Sequence, residues 1–416
     1  MKKFLHRCFI ALPAAVLLLH AALPAKAQLS IRLNIAAEAK TPATDTLYVA
    51  GSFNSWNPGN KAYMLQKLPN GQYGITLPAT VRGSAAFKFT RGSWQKAEAT
   101  ATGADAPNRS FIIPERDTAT YTGTVFGWTD NSARPKPRST AGKNVSVMQK
   151  AFFIPQLNRE RQIWIYLPPD YKTSSKTYPV LYMHDGQNLF DQSTGFAGEW
   201  GIDETLDSLH AAGDHGCIVI GIENDGENRF NEYSPWNNPK YGGGQGDAYI
   251  TFITETLKPY VDKNYRTMPE SRYTCVFGSS MGGLISLYAA LRHPGVFGRA
   301  GVFSPSLWFA PEIYKMADTA DATGFSQRIY IMSGEKESKT QVAEQLRMVE
   351  KLKKSGFSEW TSHESARRLN KSGSPAKALK KEYFSVIHPD GEHSEWFWKR
   401  EFAHAYKTIF SGAVKQ

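Results

Sequence analysis

The sequence predicts an α/β protein with a mainly parallel central sheet, preceded by a small all-β sandwich. Three observations carry that reading. From Asn144 onward, short apolar runs alternate with stretches of helical periodicity, the pattern of strands laid under helices. Within that half, Gly278-Ser279-Ser280-Met281-Gly282 matches G-x-S-x-G between a strand-like and a helix-like run. From Asp45 to about Asp130 the runs are short, alternating and separated by turn residues, as in a sandwich of roughly 90 residues. The expected segments are 1–27 (signal peptide), 28–130 (sandwich), 131–143 (linker) and 144–416 (α/β domain).

The chain begins with a targeting pattern. Lys2, Lys3 and Arg7 precede an apolar stretch from Phe9 to Leu23, broken by Pro13, and Ala25-Lys26-Ala27 is a small-residue cleavage site. That predicts export, with a mature start at Gln28, and the apolar run is too short and broken to span a membrane. The formal charge of +11 falls to +7 when the four basic residues of this segment are lost. Such a mild surplus does not point to nucleic acid. Arg367, Arg368, Lys371, Lys377, Lys380 and Lys381 crowd a Ser/Gly/Pro-containing stretch that reads as a solvated insertion. Export permits a disulfide. However, the strands of Cys217 and Cys275 are expected to flank a third, about two strand spacings or roughly 9–10 Å apart. That exceeds bridging range, so both read as buried thiols.

The first half contains strand-like runs at 46–50, 71–77, 86–90, 109–113 and 120–125. Trp56, in Gly51-Ser52-Phe53-Asn54-Ser55-Trp56, and Trp94, in Gly92-Ser93-Trp94, fall at turns rather than inside alternating runs. Exposed tryptophans beside an amide and an ammonium are how proteins stack on sugar rings and bond their hydroxyls; the alternative is that both pack the sandwich. The two motifs resemble the glycogen- and starch-binding modules of immunoglobulin-like fold, over about 80 residues. By that likeness Trp56, Lys88, Trp94 and Asn108 would line a glucan site. Modules of this kind fused to esterases also bind xylan or only support their neighbour. Residues 131–143, rich in Pro, Ser and basic residues, read as a linker.

In the second half, strands are expected at 162–167, 178–183, 217–222, 273–277, 299–304, 328–332 and 383–387. Helical faces are expected through Ile253/Leu257/Val261 and Val342/Leu346/Val349, with a closing helix from Glu395 to Phe410. This is the α/β-hydrolase pattern. Strand, sharp turn and helix put Ser280 on a strained elbow at the positive end of the helix, with the Met281 N–H free to bind an oxyanion. The loop His184-Asp185-Gly186-Gln187 should supply the second donor, the Gln187 N–H, with the glycine letting the chain turn.

A serine hydrolase also needs a base, and an acid to orient it, in the order Ser, acid, His. Of His363, His388, His393 and His404, His393 lies in the loop between last strand and last helix, and His388 is the fallback. The acid should follow the strand at 328–332, where Glu335 and Glu337 both qualify; Asp390 is a weaker third option.

The motifs HDGQNLFD, GSSMGG, SPSLWF, SGEKES and DGEHSEWFW make residues 145–412 resemble the putative-esterase (esterase D-like) family of α/β-hydrolases. That resemblance implies Ser280 as nucleophile, His393 as base, Glu337 as acid, Gln187 and Met281 as oxyanion donors, and no metal or organic cofactor. Asp185, Arg229, Tyr233 and Trp308 are the candidate substrate contacts, in loops expected to rim the pocket. The expectation is an exported serine esterase acting on an acylated poly- or oligosaccharide, with feruloyl or acetyl groups. The rival readings are a siderophore (catecholate-ester) esterase, an acyltransferase and a non-catalytic glycan-binding protein.

Overall fold

The computed structural model describes residues 28–54, 56–101, 103, 106–113, 118–130, 138–195, 198–320, 324–360 and 380–412. The expected signal peptide, most of the linker and most of the basic stretch, His363 included, lie outside the described residues. The chain divides into two compact units, residues 1–133 and 134–416.

Among the described residues the first unit has two main antiparallel-rich sheets around one apolar core, with a two-stranded ribbon of Glu98–Ala99 and Gly127–Trp128 beside them. One sheet has four strands, in the spatial order Gln66–Lys67, Tyr73–Thr76, Leu29–Ile35, Ala119–Val125; the other has three, Tyr48–Gly51, Gly83–Thr90, Arg109–Ile113. Leu29, Ile31 and Leu33 from one sheet meet Val49, Phe87 and Phe89 from the other in a single buried cluster. The period-two alternation of these residues is what a strand buried on one face requires. The strand Leu29–Ile35 was not among the expected ones, although Leu29, Ile31 and Leu33 carry the alternation.

The second unit carries a nine-stranded sheet. Its strands are β1 (Val145–Ile154), β2 (Arg159–Tyr166), β3 (Val180–His184), β4 (Ile218–Ile222), β5 (Thr274–Ser279), β6 (Arg299–Phe303), β7 (Gln327–Gly334), β8 (Ser358–Glu359) and β9 (Lys381–His388). The spatial order is β1-β2-β4-β3-β5-β6-β7-β9-β8. Pairing is antiparallel for β1–β2 and β2–β4 and parallel from β4 onward. β3, β4, β5, β6 and β7 are buried along their whole length, which explains their continuous apolar runs.

Helices cover both faces. α1 (Ile202–Ala211) and α4 (Glu395–Phe410) pack with Leu181, Val219, Phe277 and Tyr330 on one side. α2 (Met281–Arg292) and α3 (Gln341–Lys354) pack with Val180, Ile220, Val276 and Ile329 on the other. The face expected for α3 is displaced. Leu346 is half exposed, while Gln341, Gln345, Met348, Val349 and Leu352 are buried. Gln345 takes a core place because its Nε2 donates to Val386 O (2.9 Å) and Ser385 Oγ (3.0 Å). Those bonds let the amide nitrogen sit where an apolar residue is expected, while Gln345 Oε1 has no partner among the described residues. Cys217 and Cys275 are buried free thiols, with Leu181 of β3 paired between their strands.

Candidate active site

The elbow forms where β5 ends and α2 begins. Ser280 has φ 58° and ψ −122°, a conformation a side chain adopts only under constraint. Its N–H donates to Phe303 O (2.9 Å), and its C=O accepts from Leu284 N (3.1 Å) and Ser306 N (3.0 Å). These bonds hold the strained turn between β6 and the first turn of α2. The Ser280 hydroxyl lies 3.3 Å from Ser306 Oγ. Among the described residues no hydrogen bond joins it to His393.

The candidate acid and base stand in the loops after β7 and β9, which are zipped together by backbone. Glu335 N–H donates to His388 O (3.0 Å) and Lys336 N–H to Gly391 O (3.1 Å). The contact is so close that a Cβ at Gly334 would stand 2.1 Å from Gly391 O, so both positions need glycine. Glu337 Oε2 then accepts from His393 Nδ1 at 2.9 Å. Glu337 Oε1 accepts from Gly334 N–H (2.6 Å) and Ser304 Oγ–H (2.7 Å). The Glu337 side chain is 1% exposed and that of His393 40%, so the carboxylate is buried and the imidazole opens to solvent. Glu335, on the same loop, is exposed. The other histidines are engaged elsewhere: His388 Nε2 is 3.3 Å from Glu401 Oε2, and His404 Nδ1 is 2.9 Å from Tyr330 OH. Asp390 pairs with Arg400 (2.5 Å).

The loop after β3 faces the elbow. A Cβ placed on Gly282 would lie 3.3 Å from His184 Cβ and 3.4 Å from Asp185 Oδ2. The turn is made by Asp185 itself, at φ 57°, rather than by Gly186. Among the described residues neither the Gln187 N–H nor the Met281 N–H donates to another protein atom. Met281 is free because the first turn of a helix has no upstream carbonyl.

Two expected substrate contacts are corrected by burial. Asp185 is 7% exposed and Tyr233 wholly buried. Asp185 takes a two-pronged bond from Arg229 (Nε 2.7 Å, Nη2 2.8 Å) and another from Asn224 Nδ2 (2.7 Å). The Tyr233 hydroxyl accepts from Asp185 N–H (3.1 Å) and its ring lies under the Arg229 guanidinium. These residues brace the left-handed turn from beneath. Burial pushes the Asp185 carboxyl up, but the Arg229 charge and the hydrogen bonds from Arg229 and Asn224 together hold the group below its usual range. Removing one partner of such a buried pair destabilises a fold by about 3–5 kcal/mol. Neighbouring His184 is buried, with Nδ1 2.9 Å from Tyr249 OH, and burial lowers its pKa to about 4. Arg229 keeps partial exposure, and Trp308, half exposed, packs edge-on against Tyr241 (5.4 Å).

Away from these residues, Glu199, Asp203 and Glu204 bring three carboxylate oxygens within 4.8 Å of one another, the arrangement a divalent cation could use. Two of the three also tie the chain ahead of β1 in place: Asp203 Oδ2 accepts from Gly142 N (2.7 Å) and Glu199 Oε2 from Thr140 Oγ1 (2.9 Å). Burial, with Glu204 adding to it against the Gly142 bond, raises Asp203 to about 7.

In the first unit, the rings of Trp56 and Trp94 lie 6.2 Å apart at 41°. Both are partly exposed, and Trp56 has φ 58°. Lys88 is buried, contrary to its expected place in an open sugar site; it lies on the face of its strand opposite core residues Phe87 and Phe89. Asn108 is exposed, and the pairing of Phe87 with Arg109 carries it toward the Lys88 end of the strand.

Residues 154–409 match the family model described as "Putative esterase". The chain belongs to that esterase family. It is a serine carboxylic-ester hydrolase with an α/β-hydrolase-like fold and a large mixed sheet. The uncharacterised protein YbbA of Bacillus subtilis is 31% identical over 214 residues, 48% of this esterase and 80% of the relative. An endo-1,4-beta-xylanase/feruloyl esterase of Xylanibacter ruminicola is 27% identical over 236 residues, 53% of this chain and 29% of that protein. The enterobactin esterase FES of Shigella flexneri, solved with enterobactin, superposes with TM-score 0.50 at 15% identity over 92% of this chain and 93% of its own, a likeness of fold. No helix among the described residues is long and apolar enough to cross a membrane.

Ser304, Gly334, Gly391 and Trp398 were not among the candidates read from the sequence. The glycines stand inside the SGEKES and DGEH motifs. Ser304 and Trp398 act over separations of 33 and 94 residues that no local pattern displays.

Proposed function

We propose that this esterase is exported and removes acyl groups of feruloyl or acetyl type from carbohydrate through an acyl-enzyme. The observation that carries the mechanism is the buried Glu337 carboxylate bonded to His393 Nδ1, in loops that end the same sheet as the Ser280 elbow. With Nδ1 donating to Glu337, the other ring nitrogen is left as an acceptor. The Ser280 hydroxyl turns from Ser306 to that nitrogen, gives up its proton and attacks the ester carbonyl. The oxyanion takes the N–H groups of Gln187 and Met281. His393 returns the proton to the departing alcohol. Water, deprotonated by His393, then attacks the acyl carbon, and His393 returns that proton to the departing Ser280 Oγ as the acid is released.

A phenolic acyl group is supported by half-exposed Trp308 and partly exposed Arg229, in the loops after β6 and β4. Carbohydrate as the acyl carrier is supported by the Trp56–Trp94 pair and by the name of the Xylanibacter relative. Export is supported by the residues ahead of Gln28. The test is hydrolysis of p-nitrophenyl acetate, methyl ferulate and a catecholate ester by the mature protein and by Ser280→Ala. A loss of at least about a thousandfold on the acetate in the variant is expected, as for removal of a nucleophile. Methyl ferulate preferred over the catecholate ester supports the carbohydrate reading; the reverse order favours a siderophore ester. Acyl transfer to an added sugar in place of hydrolysis makes the protein a transferase.

A further inference from the structure

We propose that Ser304 and Trp398 are positioning residues: a relay from the Trp398 indole through the Ser304 hydroxyl fixes the Glu337 carboxylate, and with it the orientation of His393. The inference rests on the assignment of Glu337 and His393 made above.

Trp398 Nε1 donates to Ser304 Oγ at 2.9 Å, and Ser304 Oγ donates to Glu337 Oε1 at 2.7 Å. The direction is forced, because an indole N–H can only donate and a hydroxyl has one proton to give. The indole has no titrating proton, so the relay keeps this polarity across the working pH range. All three side chains are sealed from water: Ser304 is fully buried, Trp398 is 5% exposed and the Glu337 side chain 1%. Bonds to an ionised group in such surroundings are the strong ones.

Backbone geometry singles out Ser304 as well. It follows β6 directly and sits at φ 44°, a left-handed conformation that non-glycine residues hold only where their surroundings over-determine it. Its N–H is pinned to Met332 O at 2.7 Å. That backbone setting aims the hydroxyl at Glu337. With Gly334 N–H on the same oxygen, Oε1 has two donors and Oε2 is left for His393. Trp398 also meets the base directly, its ring edge-on to the His393 imidazole at 5.1 Å and 84°. One side chain therefore restrains the base through space and the acid through Ser304. Without the hydroxyl, Oε1 keeps only the Gly334 N–H, and the carboxylate is fixed by one donor fewer.

The experiment compares Ser304→Gly, Trp398→Phe, Glu337→Gln and the Ser304→Gly/Glu337→Gln double variant on p-nitrophenyl acetate. Glycine suits the left-handed backbone, so this change removes the hydroxyl without adding strain. Phenylalanine keeps a ring against His393 and removes only the indole donor. Expected for Ser304→Gly is a fall in kcat of about tenfold to a hundredfold, the range for a bond to a charged group, with KM within about twofold. The acid limb of its kcat/KM profile moves to higher pH, because a carboxylate that has lost a donor holds the neighbouring imidazolium more tightly. In the Glu337→Gln background the same change costs no more than about threefold, since the group it acts through is gone. Trp398→Phe lowers kcat several-fold. Ser304→Gly with wild-type kcat and an unmoved limb overturns the proposal, and so does an equal loss in both backgrounds. If Ser304→Gly does not fold, wild-type behaviour of Trp398→Phe overturns it instead. Full activity of Glu337→Gln would bring down the assignment of the acid itself, a separate outcome.

Discussion

Replacing Glu337 by glutamine tests the acid by a route that depends on where each of its hydrogen bonds goes. The side chains have the same shape, so only the donors and acceptors change. In the wild type Oε1 accepts from Gly334 N–H at 2.6 Å and from Ser304 Oγ–H at 2.7 Å, while Oε2 accepts from His393 Nδ1 at 2.9 Å. An amide NH2 in the Oε1 place would face the Gly334 N–H, donor against donor, at a cost of about 1–3 kcal/mol for the buried groups left unpaired. The amide oxygen therefore takes that place, and the NH2 turns to His393. His393 Nδ1 must then accept, which moves the ring proton to Nε2, the nitrogen that has to receive the Ser280 proton. A serine hydrolase held in the wrong tautomer loses about 10⁴ in kcat, or about 5.5 kcal/mol at 1.36 kcal/mol per tenfold. Burst and steady-state release of p-nitrophenolate should register a loss of about 10³ to 10⁴, with the melting temperature almost unchanged because the Oε1 bonds survive. A Glu337→Gln enzyme within about tenfold of wild type would refute this reasoning and return the acid's role to exposed Glu335 or to Asp390.

The Ser280 elbow was readable because its signal is local: strand, turn and helix are contiguous, and Gly278 and Gly282 stand inside one five-residue motif. The α/β-hydrolase pattern was readable for a related reason, since strands buried on both faces must be continuously apolar. Which glutamate meets a histidine was not readable from residue type, because Glu335 and Glu337 share a loop and only the fold buries Glu337 against His393. His388 and His393 likewise differ by what stands opposite them, Glu401 for one and Glu337 for the other. Asp185 and Tyr233 resembled pocket residues because they are polar and follow strand ends. Their partners lie 44 and 48 residues away, and these turn them into a buried brace. The edge strand Val145–Ile154 was missed because its exposure is irregular and its pairing slips register twice.

Two further substitutions separate packing from charge. A methyl group at Gly278 would stand 2.8 Å from both the carbonyl carbon and the oxygen of Gly282, backbone that cannot rotate aside. Gly278→Ala is expected to lower kcat by at least about a hundredfold, the scale of a 1 Å misplacement at a reacting centre; wild-type turnover in the folded variant would mean that the elbow yields freely. Asp203→Asn addresses the carboxylate cluster beside α1. Burial pushes this carboxyl up to about 7 in the folded protein, against about 3.8 for a free aspartate, so the folded state binds the extra proton between those limits. Folding stability then falls as pH climbs through that window, and the loss is complete above about 7. Asparagine cannot ionise, and its side-chain oxygen can still accept from Gly142 N–H. Asp203→Asn should therefore raise the melting temperature at pH 8 by several degrees relative to wild type, with little difference at pH 4. The melts are run in EDTA so that no divalent ion stands in for the proton. An equal effect at both pH values would mean that Asp203 is ionised throughout and that its burial is compensated by a charge rather than by a proton.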